Sequence, residues 1–100
     1  MAQIQLELVS WIAKELGYVD DKQARWREEV GAGQTVADLL ASLAAKNSRF
    51  AEIVFDPADG RTYEHVAIVL NGRLLDAQGG PAAPLHDGDQ LMILPGFAGG

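Results

Sequence analysis

Near the start of the chain, Ile4, Leu6 and Leu8 alternate with Gln3, Gln5 and Glu7, the period-two pattern of a strand with one buried face. The alternation breaks over residues 10–18, where Trp11, Ile12 and Leu16 fall at spacings that fit a short helical turn closed by Gly17. It resumes over residues 23–30. There Ala24, Trp26 and Val30 share one parity and Arg25, Arg27 and Glu29 the other, which predicts a second strand ending at Gly31 and makes Trp26 a packing residue rather than a ligand platform.

The apolar spacing then changes from two to three and four. Val36, Leu39, Leu40, Leu43 and Ala44 form one stripe, as on a helix laid against a sheet. Thr35 precedes the stripe as N-cap, Asp38 stands at capping-box spacing with its negative charge near the helix N-terminus, and Asn47 offers an end. Residues 48–64 mix apolar Phe50, Ile53, Val54 and Phe55 with the turn signals Asp56-Pro57 and Asp59-Gly60, which predicts a short turn of helix and a loop. That loop lacks the alternating ligands and terminal glutamate of a calcium hand, so its aspartates read as turn formers. Val66-Ala67-Ile68-Val69-Leu70 is a strand, Asn71-Gly72 is the preferred pair for a two-residue type I′ turn, and Leu74 and Leu75 start the return strand. Residues 79–84 read as a loop and 85–89 as a turn stabilised by its own aspartates. Leu91-Met92-Ile93-Leu94 is an unbroken apolar run with the length of a buried strand, and Pro95 is expected to stop it because proline has no N–H for the ladder.

Strand, strand, helix, irregular segment, hairpin, strand is an α+β order in which one main helix covers one face of a mixed sheet. The last strand is apolar at both parities, so either it is central and shielded or its outer side is a contact patch. A chain of 100 residues, 48% hydrophobic, is enough for one domain with one core. No apolar stretch approaches the roughly 18 to 20 residues that cross a bilayer. Met1-Ala2-Gln3 lacks the basic start of a secretory signal, and a cytoplasmic protein with no membrane partner is expected. The sequence has no cysteine, which excludes disulfides, thiolate metal sites and a cysteine nucleophile. His65 and His86 stand alone, so neither metal nor bound cofactor is expected. The net charge is −6 and the eight basic residues are scattered between Lys14 and Arg73, which argues against binding nucleic acid. The acidic surface suits both steering toward basic protein partners and simple solubility.

The candidate chemistry lies at the end. Pro95-Gly96-Phe97-Ala98-Gly99-Gly100 follows directly on the final strand. Two glycines without Cβ atoms let a chain end be drawn extended through a slot too narrow for any side chain, with its α-carboxylate at the far end where another enzyme can reach it. The plainer reading of the same residues is a frayed terminus.

With these elements in this order, Thr35-Val36-Ala37-Asp38-Leu39-Leu40 at the helix start, Val69-Leu70-Asn71-Gly72-Arg73 at the hairpin, the Asp87-Gly88-Asp89 turn and the end Ala98-Gly99-Gly100, the chain resembles the MoaD/ThiS sulfur-carrier branch of the ubiquitin-like β-grasp proteins. The resemblance spans nearly the whole chain. It implies a sheet of four to five strands in a β-grasp domain over residues 1–95, and a flexible extended tail over 96–100. It also implies a carrier rather than an enzyme. An adenylating enzyme of the ubiquitin-activating type would consume ATP to activate Gly100, a sulfur donor would convert it to a thiocarboxylate, and an acceptor enzyme such as a molybdopterin synthase large subunit would take the sulfur. Gly99 would give clearance in the slot. By the same resemblance Met92 and Leu94 face away from the helix and, with Phe97 and Ala98, meet the partners. The family's molybdopterin-synthase small subunits usually end in two prolines, an aliphatic residue, a small residue and Gly-Gly. Here Pro95-Gly96-Phe97 departs from that, with a more flexible tail expected at Gly96 and a larger anchor at Phe97. Molybdenum cofactor, thiamine, cysteine and transfer-RNA thiolation all stay open as destinations. So do a ubiquitin-like modifier joined to target lysines through Gly100 and a β-grasp interaction domain with an inert tail.

Overall fold

The computed structural model describes residues 2–9, 11–16, 23–31 and 33–96. Ala2–Val9 (β1) pairs antiparallel with Gln23–Val30 (β2), Ala2 opposite Val30 and Leu8 opposite Ala24. Between them Trp11–Glu15 (α1) packs on β1, with Ile12 and Ala13 fully buried. Ser10, Gly17 and Tyr18, which the expected helical turn included, lie outside the described residues.

Val36–Lys46 (α2) is the main helix, and its start is fixed locally. The Thr35 hydroxyl accepts the Asp38 N–H at 3.2 Å and the Asp38 carboxylate accepts the Thr35 N–H at 2.9 Å, so two donors that a helix start leaves orphaned are satisfied reciprocally. The predicted stripe of Val36, Leu39, Leu40, Leu43 and Ala44 is the buried one. Asn47 ends α2 and caps the next helix, Ser48–Ile53 (α3), by accepting from the N–H groups of Arg49 and Phe50.

The remaining strands are Phe55–Asp56 (β3), Arg61–Thr62 (β4), Val66–Leu70 (β5), Arg73–Leu74 (β6) and Gln90–Pro95 (β7). Five of the seven strands among the described residues form one sheet in the order β2-β1-β7-β5-β6, with β7 parallel to β1 and every other pair antiparallel. Ile4, Leu6 and Leu8 from β1, Ile68 and Leu70 from β5, and Leu91 and Ile93 from β7 join the α2 stripe in a single core. The last strand of the chain is therefore the middle of the sheet, reached only after the helix has crossed over, as a parallel pair requires.

Four local expectations differ from the structure. Residues 48–64 hold, besides the helix, a two-stranded hairpin in which Phe55 faces Thr62. The return strand after Asn71-Gly72 stops at Leu74, and Leu75 turns inward at the start of a 3₁₀ helix, Leu75–Gln78, where it is buried. Within 79–84 a second 3₁₀ turn, Gly80–Ala82, is tied to the start of α2, the Val36 N–H donating to the Ala83 carbonyl and the Leu85 N–H to the Gln34 carbonyl. Finally, Pro95 does not stop β7 but completes it opposite Val66. A proline is tolerated at the end of a strand where its missing N–H breaks no rung. No helix among the described residues is long and apolar enough to cross a membrane.

Candidate functional site

The site is built outward from β7. The turn before it is a knot of side chain to backbone bonds. The Asp87 carboxylate accepts the Gln3 N–H at 2.8 Å, and the Gly88 N–H donates to the Gln3 carbonyl at 2.9 Å. Asp89 accepts from the His86 N–H at 2.8 Å and from the Asn71 side-chain amide at 3.0 Å, while the Asn71 amide oxygen accepts the Gln90 N–H at 2.9 Å. The Asp89 bond to the His86 N–H stabilises the turn as its chemistry foretold, and the bonds to Gln3 and Asn71 further tie the turn to β1 and the β5–β6 hairpin. Asn71 itself sits at φ 53 and Gly72 at φ 82, the left-handed pair of a type I′ turn.

Along β7 the two parities have different surroundings. Leu91 and Ile93 are buried in the core, 1% and 0% exposed, whereas Met92 and Leu94 are half-buried on the opposite face. Met92 lies between Glu7 on β1 and Val69 on β5, and Leu94 lies beside Ala67. Glu7 is in turn paired with Arg25 at 3.6 Å. Beyond Val69 comes Leu74, 59% exposed and the one large apolar side chain left in solvent among the described residues. The hollow over Met92 is lined by Gln5, Glu7, Arg25, Arg27, Val69 and Gln90, and nothing from residues 79–84 reaches it. The hollow beside Leu94 does include Pro81, together with Leu74, Glu64 and Gly96. An outward patch of Met92 and Leu94 is thus present, open over Met92 and walled by Pro81 beside Leu94. Phe97, Ala98, Gly99 and Gly100 lie outside the described residues.

Where the sheet ends, Gly96 is held closely. Its N–H donates to the His65 carbonyl at 2.8 Å. A Cβ built on it would meet the Val66 carbonyl carbon at 3.1 Å, the Glu64 carbonyl oxygen at 3.2 Å and the Ala67 nitrogen at 3.3 Å. The added flexibility expected at Gly96 is therefore not what the structure shows there, because the residue continues the ladder. The turn that receives it is itself fixed. The Val66 N–H donates to the Tyr63 carbonyl at 3.1 Å, the Tyr63 and His65 rings stack 5.7 Å apart, and the Tyr63 hydroxyl donates to the Ala51 carbonyl at 2.7 Å. Partial burial raises the Tyr63 phenol above its ordinary value, and the negative charges of Asp56, Asp59 and Glu52 add to the rise.

The sequence did not single out Tyr63 and marked Gly96 only as a source of tail flexibility, since each acts through contacts distant in the chain. Among the described residues no group of three or more histidine, aspartate or glutamate side chains is arranged to hold a metal ion.

Comparison with known proteins agrees with this architecture. The chain is 37% identical over 82 residues to small archaeal modifier protein 3 of Haloferax volcanii, covering 82% of this chain and 85% of that one. It is 34% identical over 70 residues to the sulfur carrier protein CysO of Mycobacterium tuberculosis, covering 69% and 75%. The solution structure of the Haloferax volcanii HVO 2177 protein superposes with a TM-score of 0.74 at 31% identity, covering 99% of this chain and 87% of that one. The ThiS family matches residues 19–100. The chain belongs to the ThiS family, with the ubiquitin-like β-grasp fold.

Proposed function

We propose that the protein is a sulfur carrier whose reactive group is the α-carboxylate of Gly100. The observation that carries this reading is the family match running through Gly99 and Gly100, four and five residues beyond the central strand. A carboxylate is a poor acyl electrophile. Attack of its oxygen on the α-phosphorus of ATP, in an adenylating enzyme of the ubiquitin-activating type, releases pyrophosphate and leaves an acyl adenylate with AMP as leaving group. A sulfide equivalent from a sulfur donor then displaces AMP, and the terminal thiocarboxylate is a soft nucleophile on a protein handle. The chain supplies no catalytic group. Its domain presents the tail, Gly99 gives clearance in a narrow slot, and Met92 and Leu94, with Phe97 and Ala98, form the surface that meets the activating and acceptor enzymes.

The modifier reading differs only in what takes the adenylate, a lysine amine in place of sulfur. It is favoured by one observation, the small archaeal modifier protein among the similar chains. Deleting Gly99 and Gly100 tests the shared first step. The truncated chain should support no ATP–pyrophosphate exchange while melting where the full chain melts, since it loses no described core contact. Exchange that survives the deletion would refute the assignment of Gly100.

A further inference from the structure

We infer that Gly96 and the turn 63–66 form a socket that sets where and in which direction the reactive tail leaves the sheet, with Gly96 as its positioning residue. This rests on the reading that Gly100 reacts. The tail would otherwise begin at Pro95, the residue that the sequence marks as a strand breaker. Instead, β7 makes one further rung, from the Gly96 N–H to the His65 carbonyl at 2.8 Å. The three atoms that a Cβ at this position would approach, at 3.1 to 3.3 Å, all belong to the backbone of residues 64–67. Backbone atoms cannot swing aside as a side-chain tip can. Val66 and Ala67 are held in β5 by their pairing with Pro95 and Leu94, and Tyr63 is held to α3 through its hydroxyl bond to Ala51. The tail is thus rooted in a braced turn, by a residue with no side chain and by a donor that a proline in the same place would lack.

The geometry has a consequence for the partner. On the reading that Gly100 reacts, four residues carry the chain from Gly96 to the reacting carboxylate, at most about 14 Å when extended, so the acyl-transfer centre must come within that distance of the end of β7. With the tail drawn extended in the enzyme's slot, the direction at the root bears on where the carboxylate arrives. A tilt of roughly 5° at the root moves the far end of such a segment by about 1 Å, and a misplacement of about 1 Å at a reacting atom can cost on the order of 100-fold in rate. A side chain at position 96 fits only if the end of β7 and residues 64–67 part by a few tenths of an ångström, a small wedge at the root of the tail. The docking surface around Met92 would be untouched by that wedge, so the defect should fall on the step after docking.

The experiment has two arms, applied to the full chain and to Gly96→Ala, Gly96→Pro and Tyr63→Phe. Amide hydrogen exchange followed by NMR reads the socket itself. The Gly96 amide of the unaltered chain should be protected like a strand amide, and protection should fall at least tenfold in Gly96→Ala and several-fold in Tyr63→Phe. Steady-state ATP–pyrophosphate exchange with a purified adenylating enzyme of the ubiquitin-activating type from the same source organism reads the consequence. Gly96→Ala and Gly96→Pro should lower kcat at least tenfold with KM changed less than threefold, at a temperature where melting curves show both variants folded. An exposed Gly96 amide in the unaltered chain, or a Gly96→Ala variant with unchanged kcat, overturns the inference. If Gly96→Ala does not fold, Tyr63→Phe carries the test, and an unchanged Gly96 exchange rate and kcat in that variant refute the socket. Failure of the unaltered chain to support exchange at all would refute the carrier reading, while the amide arm would still judge the socket.

Discussion

Met92 and Ile93 are neighbours in sequence and opposites in surroundings, so substitutions at the two positions should fail in different assays. Ile93 is completely buried in the core. Ile93→Ala removes three carbons from a site that cannot collapse without moving the paired strands β1 and β5, and should cost about 2 to 5 kcal/mol of folding stability. Met92 is half-buried between Glu7 and Val69. Met92→Asp gives up some apolar contact and sets a carboxylate across from Glu7. A like-charged cross-strand pair costs on the order of 0.2 to 1 kcal/mol, and Arg25, 3.6 Å from Glu7, offsets part of it. A stability loss of about 1 kcal/mol is therefore expected for Met92→Asp. If Met92 anchors the partner, the same change should weaken docking by more than 1 kcal/mol, about fivefold in Kd. Urea unfolding followed by tryptophan fluorescence measures the first quantity, and titration into the activating enzyme the second. Reasoning from strand parity fails if Met92→Asp shifts the unfolding midpoint as far as Ile93→Ala does. The docking assignment fails if Met92→Asp binds as tightly as the unaltered chain.

Three further outcomes are expected. Leu40→Ala, at a fully buried position of α2, should destabilise by about 2 to 5 kcal/mol in the same urea assay; an unmoved midpoint would contradict its place in the core. Thr35→Ala breaks the capping box and should cost less, around 1 kcal/mol, with no change in adenylation kinetics. In a Tyr18→Phe chain, ultraviolet absorbance should show Tyr63 ionising above the ordinary tyrosine range. Because its folded-state value lies above the unfolded one, the stabilisation linked to the neutral phenol is complete below the unfolded value and is lost as pH rises through the folded value. An ordinary titration midpoint would show that burial and the neighbouring carboxylates do not act on it.

How much of this was legible in the sequence follows from how local each determinant is. The α2 boundaries, the buried stripe and the type I′ turn at Asn71-Gly72 are each written within a few consecutive residues, and the structure places them as expected. The parity of Trp26 was equally readable, and the side chain packs half-buried against the core opposite Leu6. What could not be read depends on segments brought together by the fold. Nothing near Leu75 in sequence says that it must turn under the sheet, which cuts β6 to two residues. The role of Gly96 is set by residues 64–67, some thirty positions upstream; in sequence it is only a glycine after a proline. Tyr63 is likewise defined by a carbonyl twelve residues away, on α3. For the candidate site, alternation put Met92 and Leu94 on one face and the family resemblance made that face the outward one, while the exposure of Leu74 beside them and the wall formed by Pro81 needed the path of the chain after β6.

The central claim is that Gly100 is an acyl donor, and intact mass spectrometry addresses it most directly. The purified chain, incubated with an adenylating enzyme of the ubiquitin-activating type, ATP and a sulfide donor, should gain the mass that corresponds to exchange of one oxygen for one sulfur, and fragmentation should place that gain on Gly100. The chain lacking Gly99 and Gly100 should show no gain. An unchanged mass for the full chain, with the enzyme active on its own established substrate in a parallel reaction, would contradict the carrier assignment.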